Sequence, residues 1–201
     1  MFGAGGHARV AIDVLRAAGE DIRACLAPIA GGFISGVPIW EELGTLTALA
    51  GAEQRVFIAI GKNSLRRQIA QDARNRGFEV ISAISPRAYL APDVAVASGV
   101  LVVHGAIVNS LAVLSDDVIV NSGATVDHDN FIAEGAHVSP GCHLAGNVVV
   151  GKETFIGIGS AIIPGITIGN GTLIGAGSVV IRDIGHGRRA WGNPAKDHGA
   201  N

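Results

Sequence analysis

At 201 residues the chain has room for one extended domain and a small one. Fifteen Lys and Arg against seventeen Asp and Glu leave a formal charge of −2, which argues against a polyanion-binding surface and against nucleic acid as a partner. The composition is 48% hydrophobic but only 4% aromatic, so the core is expected to be slim and aliphatic.

Two cysteines, Cys25 and Cys142, do not make a disulfide framework. Neither a basic-then-apolar leader nor an apolar run of about 18 residues is present. A cytoplasmic protein without membrane insertion is the expectation.

The first eighty residues read as a small parallel α/β domain. Gly3 to Ala8 (GAGGHA) is a glycine-rich loop, Arg9 to Ala18 an amphipathic helix ended by Gly19, and Ile22 to Ala27 a short strand. Pro28 to Gly36 is a loop, Val37 to Trp40 is extended, and a helix is expected from Glu41. Val56 to Ile60 is a buried-type strand entering Gly61, Lys62 and Asn63. Leu65 to Arg76 is a helix and Phe78 to Ala83 another strand. Such a glycine-rich loop normally follows a buried strand, yet only Met1 and Phe2 precede it. The expectation is therefore a truncated or misplaced start, or a sheet without its central strand.

From Ile84 to Val180 every sixth residue is Ile, Leu or Val. That period fits neither a helix nor an alternating strand, but it fits a parallel β-helix whose three flat faces each consume one hexapeptide. The marked residue points inward, joined by the position four later: Val100, Ala106, Ala112, Val118, Cys142 and their equivalents, small or β-branched as a narrow interior requires. Gly151, Gly157, Gly169 and Gly175 are expected to supply corner φ values that other residues resist. The β-helix is expected to end near Ile184, followed by a tail. Residues 1–83 thus form a Rossmann-like domain and 84–201 the β-helix with its tail.

The densest polar cluster is Asp127, His128, Asp129, followed by His137. The inward slots near it go to Val126 and to Asn130 or its neighbours, which places His128 on the outer surface near an edge. A carboxylate beside an imidazole holds one ring nitrogen protonated and raises the basicity of the other, as a general base needs. On spacing alone the same run also fits a solvated turn.

The hexapeptide frame, the run VNSGATVDHDNFIAEGAHVSPGCHLAGNVVVG, the end signature WGNPAK and the opening GAGGHAR together resemble the left-handed β-helix sugar acyltransferases. The resemblance is to the bacillosamine-pathway and perosamine N-acetyltransferases and the sialic acid O-acetyltransferases, over essentially the whole chain. It implies an acetyl-CoA-dependent, metal-free acetylation of the amine of a nucleotide-linked 4-amino-4,6-dideoxy sugar. It further implies a homotrimer with acetyl-CoA between adjacent prisms and the nucleotide sugar on the N-terminal domain. Carried over by position, His128 is the catalytic base and Asp129 the acid that raises its basicity. His137, Ile158 and Ala176 contact acetyl-CoA, and Gly5, Gly6, His7, Gly61 and Asn121 face the sugar nucleotide. The sugar is expected to be UDP- or GDP-linked; Ala27 and Pro28 stand where relatives often have an acidic pair, which weakens the usual contact to uracil and favours guanine or another base. Lys62 stands where a carboxylate or amide is frequent.

Other readings are weaker. Gly3, Gly5 and Ala8 satisfy a dinucleotide fingerprint, but no acidic residue closes the second strand. A zinc carbonic-anhydrase-like lyase would draw on His104, His128, His137 and His143, without that family's short paired-histidine spacing. O-acetylation would use the same base and donor, and a non-catalytic scaffold would turn over no donor.

Overall fold

The computed structural model describes residues 1–42 and 55–200, so the helix expected from Glu41 lies almost wholly outside the described residues. The first element is helix α1 (Gly6–Ala17), which buries Ala8, Ala11, Ile12, Val14 and Leu15 on one stripe. It starts at the glycine loop, earlier than the apolar pattern indicated. Strands β1 (Cys25–Ala27), β2 (Phe33–Ile34) and β3 (Val37–Glu41) follow. β1 and β3 are parallel, whereas β2 turns back antiparallel on β3, so the expected loop holds a hairpin. β4 (Arg55–Val56), helix α2 (Asn63–Asn75) and β5 (Glu79–Val80) complete the domain.

The central strand exists in miniature. Phe2 bridges in parallel to Leu26 on one side and Ile58 on the other, and is 3% exposed. Three backbone bonds at 2.7–2.9 Å tie Met1 to Gly3 to these neighbours: Phe2 N to Phe57 O, Gly3 N to Leu26 O, and Leu26 N to Met1 O. These contacts correct the expectation of a sheet lacking its middle. Gly3 is obligatory here, because a Cβ would meet the Ala59 carbonyl oxygen at 2.6 Å and its φ is +103°.

The remainder is a β-helix with the expected period. Each two-residue rung pairs in parallel with the rung eighteen residues on, as Val108 does with Val126 and Val138 with Ile156. A first face rises through Leu90, Val108, Val126, Leu144, Ile162 and Val180. A second runs through Val96, Leu114, Ile132, Val150 and Ile168. A third runs through Ile84, Val102, Val120, Val138, Ile156 and Ile174. From Val100 onward these residues and their four-later partners are almost all fully buried. At about 1.5–3 kcal/mol for each buried aliphatic side chain, this column is the main source of stability. Inward hydroxyls are satisfied at the corners, with Thr154 Oγ1 donating to Gly169 O at 2.6 Å and Ser178 Oγ to Gly175 O at 2.6 Å.

Two expectations need correction. The left-handed backbone positions lie three residues after the marked one: Gly99, Gly105, Gly123, Gly135, Gly141 and Gly159, but also Asp117, Asp129 and Asn147 at φ of 58–60°. Gly151, Gly157, Gly169 and Gly175 have no such φ. They are glycine because the next coil passes too close: a Cβ on Gly157 would lie 2.6 Å from the Ala176 amide nitrogen. The tail also folds. Ile184 bridges Ile168, and strands Arg188–Gly192 and Ala195–Ala200 form a hairpin that continues the third sheet above Leu173 and Ile174.

The small domain lies on the third face. Outward-pointing Leu101 and Ile119 are buried in the cluster that includes Ala8, Ile12 and Leu15 of α1. α2 docks through arginines. Arg74 grips the buried Asp117 carboxylate with two bonds of 2.8 and 3.0 Å. Arg66 is 1% exposed and donates to the carbonyls of Asp117, Gly135, Ile60 and Gly61, and to Asn63 Oδ1, at 2.7–3.2 Å.

Gly157→Ala should lower stability by about 1–3 kcal/mol, the usual cost of overpacking. A clear fall in Tm by circular dichroism is the check, and an unchanged Tm would contradict the close-approach account.

Candidate active site

His128 sits in the turn after the Thr125–Val126 rung, at the corner between the first and second faces. Its side chain is 59% exposed, and its Nδ1 lies 2.7 Å from Asp129 Oδ2. With the proton on Nδ1 donated to that carboxylate, Nε2 is left as the ring's acceptor. The hydrogen bond to Asp129, reinforced by the charges of Asp127 and Asp129, raises the imidazole pKa above 6.5.

The turn around it is braced from beneath. Asp127 Oδ1 accepts the His128 amide at 2.8 Å and Asn109 Nδ2 at 3.0 Å. Asn130, 1% exposed, points inward, donating to Asp127 O and Ala145 O and accepting from Val148 N–H. The imidazole packs against Gly146, where any Cβ would collide with its Cε1 and Nε2. Gly146 and Asn130 were missed as site residues in the sequence. The signal for Gly146 is its place eighteen residues after His128, one coil on.

A second cluster lies under the N-terminal domain. Ser122 N–H donates to Asn121 Oδ1 at 2.8 Å, which turns Asn121 Nδ2 toward His137 Nε2 at 3.1 Å. His137 is therefore an acceptor at Nε2 and carries its proton on Nδ1. Its ring meets Phe155 edge-on at 5.1 Å and lies 6.2 Å from the ring of His7. Gly61 is beside it, where a Cβ would lie at ordinary contact distance, 3.9 Å, from His7 Cγ. So the structure groups His137 with His7, Gly61 and Asn121, the residues expected to face the sugar nucleotide. Gly5 and Gly6 open the same α1 terminus, and a Cβ on either would meet nothing within 4 Å.

Ile158 and Ala176 occupy one corner line, between the third and first faces, one coil apart. Gly177 N–H bonds to Ile158 O at 2.8 Å, and the Ile158 side chain is exposed. His128 lies at a different corner of the same prism, across the first face, so one chain does not unite the base with this line.

The remaining histidines are engaged separately. His104 bridges Ser85 Oγ at 2.6 Å and Asp13 Oδ2 at 2.8 Å, tying the β-helix to α1. Ser85 is itself buried, so this serine, histidine and aspartate row presents no open nucleophile. His143 Nδ1 meets Thr125 Oγ1, and His186 Nδ1 accepts the Asn170 amide. Among the described residues no three of His, Cys, Asp and Glu are grouped to hold a metal ion, and no helix is long and apolar enough to cross a membrane.

Comparison with known proteins agrees with this geometry. Residues 1–73 match the model of the PglD N-terminal domain, and residues 147–182 match the bacterial transferase hexapeptide with six repeats. The structure of perosamine N-acetyltransferase PerB from Caulobacter crescentus, in complex with CoA and GDP-perosamine, is 41% identical. The match covers 98% of this chain and 95% of that one, with a TM-score of 0.95. This chain belongs to the same family of hexapeptide-repeat sugar N-acetyltransferases. In that family, the acetyltransferase domain of PglB from Neisseria gonorrhoeae, in complex with acetyl coenzyme A, is 37% identical over 98% of this chain and 96% of that chain, with a TM-score of 0.94. A variant of the Caulobacter enzyme with one histidine changed to asparagine also holds CoA and GDP-perosamine, at 40% identity, 98% and 95% coverage and a TM-score of 0.96. The family assignment makes the β-helix left-handed, as the hexapeptide period led one to expect.

Burial makes the second cluster acid-sensitive. Desolvation, with the Arg66 charge second, lowers the His7 pKa to about 4 and that of His137 to about 3, both from 6.5. Folded-state values below the unfolded one mean that protonation favours unfolding. Stability is complete above pH 6.5 and falls as pH drops toward 4, by about 1.4 kcal/mol per pH unit for each proton taken up. Urea unfolding from pH 7 to 4.5 should show this slope, and the His7→Gln/His137→Gln double variant a shallower one. Equal slopes in the two proteins would contradict the assignment.

Proposed function

We propose that this chain transfers acetyl from acetyl-CoA to the amine of a nucleotide-linked 4-amino-4,6-dideoxy sugar, UDP- or GDP-linked, in bacterial surface-glycan synthesis. The observation that carries the reading is the outward imidazole of His128 locked onto Asp129. A thioester is already activated, so the protein need only align the amine, take its proton and support the transient oxyanion. His128 Nε2 removes the proton from the amine as its nitrogen attacks the thioester carbonyl carbon. The C–N bond forms, the C–S bond breaks, and the proton passes from the imidazolium to the departing thiolate. Asp129 orients the ring and stabilises its charged form.

The sugar nucleotide fits the domain of residues 1–83. The open backbone at Gly5 and Gly6 begins α1, whose N-terminal amides favour a diphosphate, and Lys62 adds a cation beside Gly61. GDP-perosamine on the Caulobacter relative, with Ala27 and Pro28 in place of an acidic pair, favours guanine. CoA and acetyl coenzyme A on the relatives favour the same donor for residues 84–201, along Ile158 and Ala176. His137 stands where the two substrates meet.

The separation of corners supports a homotrimer. His128 on one corner and Ile158 with Ala176 on another come together when three prisms pack around a threefold axis, the base corner of each against the cofactor corner of the next. A cytoplasmic location belongs to this reading, and the need for acetyl-CoA as donor supports it.

His128→Ala should cut release of CoA thiol by at least about 100-fold, the scale of general-base catalysis, and leave the trimer intact by light scattering. Full turnover in that variant would overturn the role. Because the His128 pKa is raised, activity should fall with acidity through a midpoint above pH 6.5, and Asp129→Asn should move that midpoint down. A panel of UDP-, GDP- and dTDP-linked 4-amino sugars decides the acceptor. Acetylation of none of them, with free sialic acid accepted, would replace this reading with O-acetylation.

A further inference from the structure

The terminal hairpin carries an aromatic pair that the reaction described above leaves unused. Trp191 and His198 stack with ring centroids 3.6 Å apart and an interplanar angle of 6°, and both are exposed. Their location gives the stack meaning. From the Ile119–Val120 rung upward, the residues directly after the third-face rungs form one vertical line: Asn121, Ser139, Gly157, Gly175 and, on the hairpin strand, Trp191. Trp191 seats on this line, since a Cβ on Gly175 would lie 2.7 Å from its own Cβ. This stretch of the line runs from the Asn121–His137 pair, past Ile158 and Ala176, to the indole.

Four coil steps separate Asn121 from Trp191, about 19 Å at the ordinary interstrand spacing of ~4.8 Å. That span suits a thin, extended arm with a reactive group at one end and a flat, anionic group at the other. Cations stand at the indole end. Lys196 pairs with Trp191 across the hairpin, and Arg189 pairs with Leu173. Neither has a carboxylate partner among the described residues, whereas neighbouring Arg188 is taken by Asp197 at 2.7 Å.

We propose that the Trp191 indole is the seat of the adenine ring of the acetyl donor, with the His198 imidazole as a stand-in that the purine displaces. Arg189 and Lys196 meet the nucleotide phosphates. The inference rests on the acetyl-CoA reading and extends it to the far end of the donor. A parallel ring at 3.6 Å is the spacing an aromatic face offers a base, and stacking tolerates exchange of one flat ring for another.

The test compares acetyl-CoA with acetyl-pantetheine, which lacks the adenine nucleotide. Trp191→Ala should raise the KM for acetyl-CoA about tenfold, the size of one aromatic–base stack, with kcat little changed and no effect on the KM for acetyl-pantetheine. His198→Ala should lower the KM for acetyl-CoA, because nothing then has to be displaced. An equal rise for both donors, no rise for acetyl-CoA, or a rise in His198→Ala would overturn the proposal.

Binding gives an independent readout. The chain has two tryptophans, so Trp40→Phe leaves Trp191 as the sole indole. Adenosine 3′,5′-bisphosphate should quench it saturably, and pantetheine should not. Absence of quenching by the bisphosphate would overturn the proposal, whether or not Trp191→Ala folds. Quenching without acetyl transfer to any sugar would instead sink the function while leaving the adenine seat in place.

Discussion

Closure of each coil in eighteen residues is the constraint from which the rest of the structure follows. Parallel pairing of every rung with the one above fixes which side chains are vertical neighbours, with no freedom to slip. A shift by one residue would turn the buried Ile and Val column outward and the polar outer row inward. The same register lays His128 on Gly146, aligns Asn121 below Gly157, and brings Ile158 under Ala176. The chemistry is therefore positioned by the hydrogen-bonded backbone of a stiff column rather than by loops.

Two kinds of histidine environment occur in the molecule, and they favour opposite protonation states. His128 stands in water beside a carboxylate, and its charged form is favoured. His137 of the prism and His7 of α1 are buried where the two bodies meet, near the Arg66 guanidinium, and their charged forms are disfavoured. The His128 imidazole holds a proton more readily than a free one, while the other two stay neutral at ordinary pH.

The repeat was legible because its period of six has a single geometric solution, and the outward placement of His128 followed from counting within it. The glycines were misread because a sequence shows which residue lacks a side chain but not why. Gly157 and Gly135 look alike on paper, yet one is crowded by the next coil and the other turns left-handed. Asp129 shows the converse, a left-handed slot filled by an aspartate whose side chain also serves the imidazole. Docking of α2 was illegible for a related reason. Arg66 and Arg74 have the spacing of a solvated polar face, and only the surface opposite reveals that carbonyls and a buried carboxylate await them. The miniature central strand was hidden by its length, since Phe2 alone carries no periodicity.

The buried Arg66 bears on how substrates come and go. Its guanidinium bonds to Asp117 O and Gly135 O on the prism and to Ile60 O and Gly61 O of its own domain, so parting the two bodies would break the first two of these bonds. Clamshell motion is thereby suppressed. The two bodies therefore act as one support for the residues at their junction, His7, Gly61, Asn121 and His137, whose mutual spacing is set before any ligand arrives.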